Sequence, residues 1–201
     1  MKLSVTFFVT FFVILVSENS MASLLGPSVF IEPFAGYKST SIKLTDASSK
    51  VTQIKAMSPS FGLKLGYRSF VGIDLNLVGE YSSGSAEISG LAEKNGFNHK
   101  TAGVQLGVNA LGLVKMYLGS SFLNDFAIED SSLLQGFVLS GPSYHAGVQF
   151  KLYPFVSLGA QYTLNQFNTV KGNSYAAGDS LETYYLKNDT QDYTIYLSTN
   201  F

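Results

Sequence analysis

Odd and even positions sort themselves chemically over the last stretch of this chain. Tyr193, Ile195, Leu197, Thr199 and Phe201 fall on one side, and Asp192, Thr194, Tyr196, Ser198 and Asn200 on the other. A period of two is the signature of a β-strand, whose side chains point alternately to opposite faces. An unpaired strand edge is a liability that folds must cover. This strand is expected to run to its aromatic last residue, so it needs a neighbour that closes the sheet. The same alternation recurs upstream between Ser/Asn/Asp/Gly clusters. Strands are expected near 29–38, 60–69, 71–81, 99–110, 114–122, 143–151, 155–164 and 190–201.

Each strand has one apolar parity. Phe61, Leu63, Leu65 and Tyr67 oppose Gly62, Lys64, Gly66 and Arg68, and Val104, Leu106 and Val108 oppose Gly103, Gln105 and Gly107. Periodicity does not say which face is inside, and a soluble eight-stranded barrel would turn the apolar face inward. Three features favour the inverted arrangement. Glycines gather on the polar face, as a narrow lumen requires, with Tyr196 and Phe34 filling gaps. Aromatic residues on the apolar face sit at strand ends: Tyr37, Phe61, Tyr81, Tyr144, Tyr162 and Tyr193 form one girdle, and Tyr67, Phe150 and Phe201 belong to the other. Connections alternate between short turns and long segments at 39–59, 82–98, 123–142 and 165–189, so all long ones fall at one end. The fold expected is all-β, an eight-stranded antiparallel up-and-down transmembrane β-barrel. Pro33 conflicts with this, because it removes a ladder donor; a bulge or a later strand start would accommodate it.

Composition agrees. Charged residues make up 13% of the chain, against roughly 25% in a typical soluble domain. There is no Cys, hence no disulfide and no thiol chemistry, and a net charge of −1 without a basic run argues against nucleic acid as a partner. At the N-terminus, Lys2 precedes the apolar Val5–Val16 stretch, and Ser20-Met21-Ala22 supplies small residues for a cleavage site. That stretch is shorter than the roughly 20 residues a spanning helix needs. Residues 1–22 are therefore expected to be a signal peptide and 23–201 the barrel domain.

With its aromatic C-terminal strand YTIYLSTNF, and with EPFAGYK at 32–38 and GLKLGYR at 62–68, the chain resembles the small eight-stranded outer-membrane β-barrels of the OmpA/OmpX and OmpW-like types. The resemblance implies a place in the outer membrane, among its lipid and lipopolysaccharide. It also implies insertion by machinery that reads the last strand, here Tyr193, Ile195, Leu197 and Phe201. A structural role, or adhesion to an extracellular ligand or host surface through the loops, would follow. A narrow passive pore is the alternative, and a lipid-modifying enzyme a third.

Three groups could carry chemistry. Glu32, Lys64, Asp74 and Glu80 form a polar interior set, with Lys64 expected to pair near Asp74; they would line a pore or plug a lumen too narrow for flow. His99 and His145 lie on strands separated by one other and would sit at the extracellular rim, where ordinary hydrogen bonding is expected rather than a metal or a pH sensor. The Ser143/His145 spacing is similar to that of lipid A deacylase barrels. Their catalytic groups face lipid, whereas parity here turns both residues inward, so no enzyme, cofactor or metal is expected. Finally, Tyr175, Tyr184 and Tyr185 in the fourth long segment, and Lys43, Lys50 and Lys55 in the first, are candidates for recognition. Strand extension by Ile42, Leu44, Val51 and Ile54 is expected to account for part of the first segment and not for the fourth.

Overall fold

The computed structural model describes residues 28–69, 72–90, 94–110, 113–129, 136–172 and 175–201. Residues 1–22, expected from sequence to be a signal peptide, and Val71 lie outside them. The strands are β1 (Ser28–Asp46), β2 (Val51–Arg68), β3 (Ile73–Ile88), β4 (Lys94–Ala110), β5 (Val114–Glu129), β6 (Val138–Ser140), β7 (Ser143–Tyr153), β8 (Val156–Asn165), β9 (Thr169–Gly172), β10 (Tyr175–Ser180) and β11 (Tyr185–Thr199), with a 3-10 turn, η1, at Leu181–Thr183. Eight of them close a ring: β1 to β5 pair in sequence, β5 pairs β7, β7 pairs β8, β8 pairs β11, and β11 returns to β1. Every pairing is antiparallel. The three short strands sit above the ring, where β6 continues the wall beside β5, and β9 and β10 follow.

Seven of the eight ring strands are longer than the sequence predicts. β1 has 19 residues, about twice what a tilted strand needs to cross a bilayer. All four long segments are therefore mostly strand over their described residues rather than loop; the fourth holds β9, β10, η1 and the start of β11, so strand extension reaches it as well as the first. Ile42, Leu44 and Ile54 do extend the first hairpin and are buried, whereas Val51 is exposed.

The expected parities hold. Leu65, Leu77, Leu106, Leu118 and Ile195 face outward and stay about half exposed, a band of apolar surface that only hydrocarbon can cover favourably. The girdle residues Tyr37, Phe61, Tyr81, Tyr144 and Tyr193 face outward at the upper edge, with Tyr162 packed on Tyr193 (ring centroids 5.1 Å apart). Tyr67 and Phe150 face outward near the short-turn end. One of the short turns ends at Gly72, whose φ of 76° suits glycine.

Pro33 is accommodated by neither a bulge nor a late start. β1 runs straight through it, paired to Leu63 of β2. Ile31 exchanges both backbone bonds with Phe201, and the β1–β11 ladder resumes at Phe34↔Ser198 in the same register. The rung left out is the one that would have needed an N–H from Pro33. Pro59 is treated alike: the β2–β3 ladder skips Ser58 and Pro59 and continues in register on both sides. A bulge does occur in β5, where the register shifts so that Gly103 faces Ser121 and Ala102 faces Leu123. Phe122 and Leu123 then both point outward, and the inward parity changes from odd (Lys115, Tyr117, Ser121) to even (Asn124, Phe126, Ile128).

Candidate functional site

The lumen is filled in layers. Nearest the short turns lies a charged layer. Lys64 Nζ donates to Glu32 Oε1 at 2.7 Å. Arg68 grips Asp74 with two bonds, Nε–Oδ1 2.8 Å and Nη2–Oδ2 3.0 Å. Lys115 Nζ bridges the two carboxylates, 2.9 Å from Asp74 and 3.7 Å from Glu32. Gln149 ties Glu32 (3.2 Å) to Ser198 (2.8 Å). Lys64 thus pairs with Glu32 and not with Asp74. Register decides this: Lys64 faces Glu32 across β1–β2, while Asp74 faces Arg68 across β2–β3. A buried carboxylate keeps its charge at low cost only when paired in this way.

The next layer is aromatic. Phe34, Tyr117 and Tyr196 pack together around the Lys64 ammonium, which lies 4.7–5.4 Å from their ring centroids. The Tyr196 hydroxyl accepts from Lys64 (3.1 Å) and bonds the Tyr117 hydroxyl (2.8 Å). Each ring has room because the residue directly across the ladder is glycine: Phe34↔Gly62, Phe30↔Gly66, Tyr117↔Gly147 and Tyr196↔Gly159. A Cβ on any of these four glycines would collide with the partner ring. These four inward glycines are seats for inward rings.

Above this lies a polar belt to which all eight wall strands contribute, including Lys38, Ser60, Glu80, His99, Asn124, Ser143, Thr163 and Asp192. Lys38 Nζ reaches Glu80 at 3.0 Å and Asp192 at 3.8 Å. Glu80 therefore belongs to this belt rather than with Glu32, Lys64 and Asp74. His99 bonds Asn124 Oδ1 at 2.6 Å and lies 3.9 Å from Asp192. His145 faces the lumen with Ser143, both buried. Neither histidine is at the rim, because the wall extends well beyond them. No cluster of three metal-ligating side chains occurs among the described residues.

The top layer is apolar. Ile42, Leu44, Ile54, Phe97, Phe126, Ile128, Phe137, Leu139, Phe167, Val170 and Leu181 form one buried core inside the upper wall, with Phe97 and Phe126 stacked 5.2 Å apart. Tyr184 and Tyr185 pack against it, and the Tyr184 hydroxyl donates to Asp179 at 2.6 Å, so these two tyrosines brace the core instead of projecting from a loop. Lys43, Lys50 and Lys55 are exposed.

Of the residues singled out from sequence, Glu32, Lys64 and Asp74 come together, and Glu80 and His99 meet around Lys38 and Asp192. Lys38, Lys115, Tyr117, Gln149 and Asp192 were overlooked, although their parity on expected strands marks them as inward. Tyr193, Ile195 and Leu197 face outward, and Phe201 pairs with Ile31.

No protein-family model matches the chain, and no curated sequence does. Solved structures do match. Ail, the attachment invasion locus protein of Yersinia pestis, in complex with the heparin analogue sucrose octasulfate, superposes with a TM-score of 0.52 at 16% identity, over 87% of this chain and 99% of that one. The outer membrane protein OprG from Pseudomonas aeruginosa gives 0.52 at 14% identity, over 88% and 98%. The fold is that of the small outer-membrane β-barrels. At these identities the likeness is one of fold, and it accords with the apolar outer band and the short-turn/long-hairpin asymmetry of this molecule.

Proposed function

We propose that this protein is a non-conducting outer-membrane barrel, a rigid membrane anchor whose tall upper wall serves envelope structure or surface interaction. The observation that carries this reading is the filled lumen: a salt-bridged layer, an aromatic layer and an apolar core succeed one another along the axis. Eight strands leave room for side chains and little else. Insertion through β11, with Tyr193, Ile195, Leu197 and Phe201 as the segment the machinery reads, is part of the proposal, as are lipopolysaccharide and an external ligand as partners. The narrow pore fits less well, since an apolar core stands across its upper end. An enzyme fits poorly, since Ser143 and His145 face the lumen and not lipid.

The test is single-channel recording of the refolded protein in a planar bilayer, with folding checked by the gel-mobility shift between unheated and boiled samples. A folded protein that stays silent is the expected result. Discrete, reproducible openings would overturn it and make Glu32, Lys64 and Asp74 selectivity candidates. That Ail is seen with a heparin analogue makes a sulfated glycan a sensible first probe for the upper wall, where Lys43, Lys55 and Lys187 lie on three adjoining strands.

A further inference from the structure

At the short-turn end, below the charged layer, lies a cavity of about 70 Å³. That is room on the order of five waters, enough for one small oxyanion. Three cations line it: Arg68 of β2, Lys115 of β5 and Lys151 of β7. Asn109, Ser157 and Asn200 add neutral hydrogen-bond donors from other parts of the wall. The charges here do not balance. Lys64, Arg68 and Lys115 meet only Glu32 and Asp74, which leaves one positive charge, and Lys151, exposed at the rim, makes two. Glu32 also lines the cavity, but Lys64 and Gln149 both hold its Oε1, and Lys115 lies 3.7 Å from its Oε2. Glu80 and Asp192 hold Lys38 on the far side of the aromatic layer. The Phe201 carboxylate accepts from Ile31 N at 3.1 Å and does not line the cavity. Orientation brings the surplus to the mouth. The side chains of Arg68 and Lys115 are 21% and 6% exposed, against 0% for the Asp74 they share, so the carboxylate lies deeper than either cation. Arg68 spends only Nε and Nη2 on Asp74 and keeps further N–H groups to donate.

We propose that this mouth is a binding site for one phosphate group, held by Arg68, Lys115 and Lys151 and hydrogen-bonded by the neutral donors around them. Donors converging from several strands suit the three terminal oxygens of a phosphate better than the single edge of a carboxylate. The bound group neutralises the surplus charge of the layer above it. All long hairpins are at the other end, so this site faces the periplasm. The phosphate comes either from solution or from a lipid headgroup of the inner leaflet.

The experiment is amide NMR of the refolded protein in a maltoside detergent, which carries no phosphate, titrated with inorganic phosphate at constant ionic strength. The Asn109, Lys151 and Asn200 amides should shift to saturation, while Lys171, exposed on β9 in the upper wall, stays in place. Lys151→Gln removes an exposed cation without touching the buried pairs, and should weaken the apparent affinity about fivefold. Lys171→Gln should leave it unchanged. Nanodiscs of phosphatidylglycerol then separate the two sources. Mouth amides already at the saturated position identify the headgroup, and a continued need for added phosphate identifies the free ion; either result supports the site. Shifts that rise linearly without saturating would overturn the proposal. So would equal shifts with potassium chloride alone, or an affinity that Lys151→Gln leaves unchanged.

Discussion

Along β1, the even-numbered face carries Glu32 and Phe34 below the upper aromatic girdle, Lys38 at its height, and Ile42 and Leu44 above it. The odd-numbered face runs from Ile31 below, through Tyr37 in the girdle, to Ser39, Ser41 and Lys43 above. Both faces change character at the same height, without any change in which one points inward. Below the girdle the molecule is apolar outside and polar within; above it, polar outside and apolar within. The lower half follows the rule of a barrel in hydrocarbon and the upper half the rule of a barrel in water. One backbone serves both, and the surrounding solvent selects the chemistry of each face.

The sharpest way to break this comparison is to attack the upper core. Phe126→Ala should cost about 4 kcal/mol, the range for truncating a buried Phe, measured by urea unfolding in detergent. A loss below about 1 kcal/mol would mean that the upper half is not a packed core of its own. The same charge placed on the outer face of each half should separate them next. Leu77→Arg, in the apolar band, should cost about 3 kcal/mol in a lipid environment, whereas Ser85→Arg, on the same strand and face above the girdle, should stay within about 0.5 kcal/mol. Equal costs would erase the boundary.

Lys64→Met tests the interior of the lower half. It leaves Glu32 without its 2.7 Å partner, but Lys115 and Gln149 remain, so about 2 kcal/mol is expected instead of the 3–5 typical of a fully orphaned charge. If Asp74→Asn, and not Glu32→Gln, rescued the variant, the assigned pairing would be wrong.

The smallest effect lies at the tip of the first hairpin. There the Asp46 carboxylate accepts from the Ser48 hydroxyl (2.7 Å), Ser48 N (2.9 Å) and Lys50 N (3.0 Å), which hold its pKa below the ordinary aspartate value. A depressed carboxylate pKa contributes to turn stability above the unfolded value, and that contribution is lost as pH falls through the folded one. The amide shifts of Ser48 and Lys50 should therefore titrate with a midpoint below about 3.9. A midpoint at or above it would show that the turn does not hold the charge.

The lower half was legible in the sequence because hydrocarbon outside and side chains inside impose strict alternation, and the eight expected strands coincide with its wall. The upper half was not, for local reasons. In β5 the bulge at Phe122 and Leu123 puts two large apolar residues in succession, so the period breaks where the strand in fact continues to Glu129. In β2 the strand passes through Pro59, which the ladder only skips, so the expected start at 60 falls short of the true start at Val51. Above the girdle, Ser- and Lys-rich outer faces imitate loop composition. In the lumen, parity identified Glu32 and Lys64 as inward, but partner choice depends on register across two strands, which a turn estimated from sequence placed wrongly for Asp74.

The pairing of each inward ring with a glycine directly across the ladder bears on how such a chain can change over generations. Phe34 and Gly62 share one volume, as do Tyr117 and Gly147, and Tyr196 and Gly159. Alanine at Gly62 is permitted only if Phe34 shrinks, and a smaller residue at 34 leaves a hole unless position 62 grows. These positions should therefore drift as couples in related chains, one large and one small with the roles free to swap. Strand register would be recorded in their correlation even where every individual residue has been replaced.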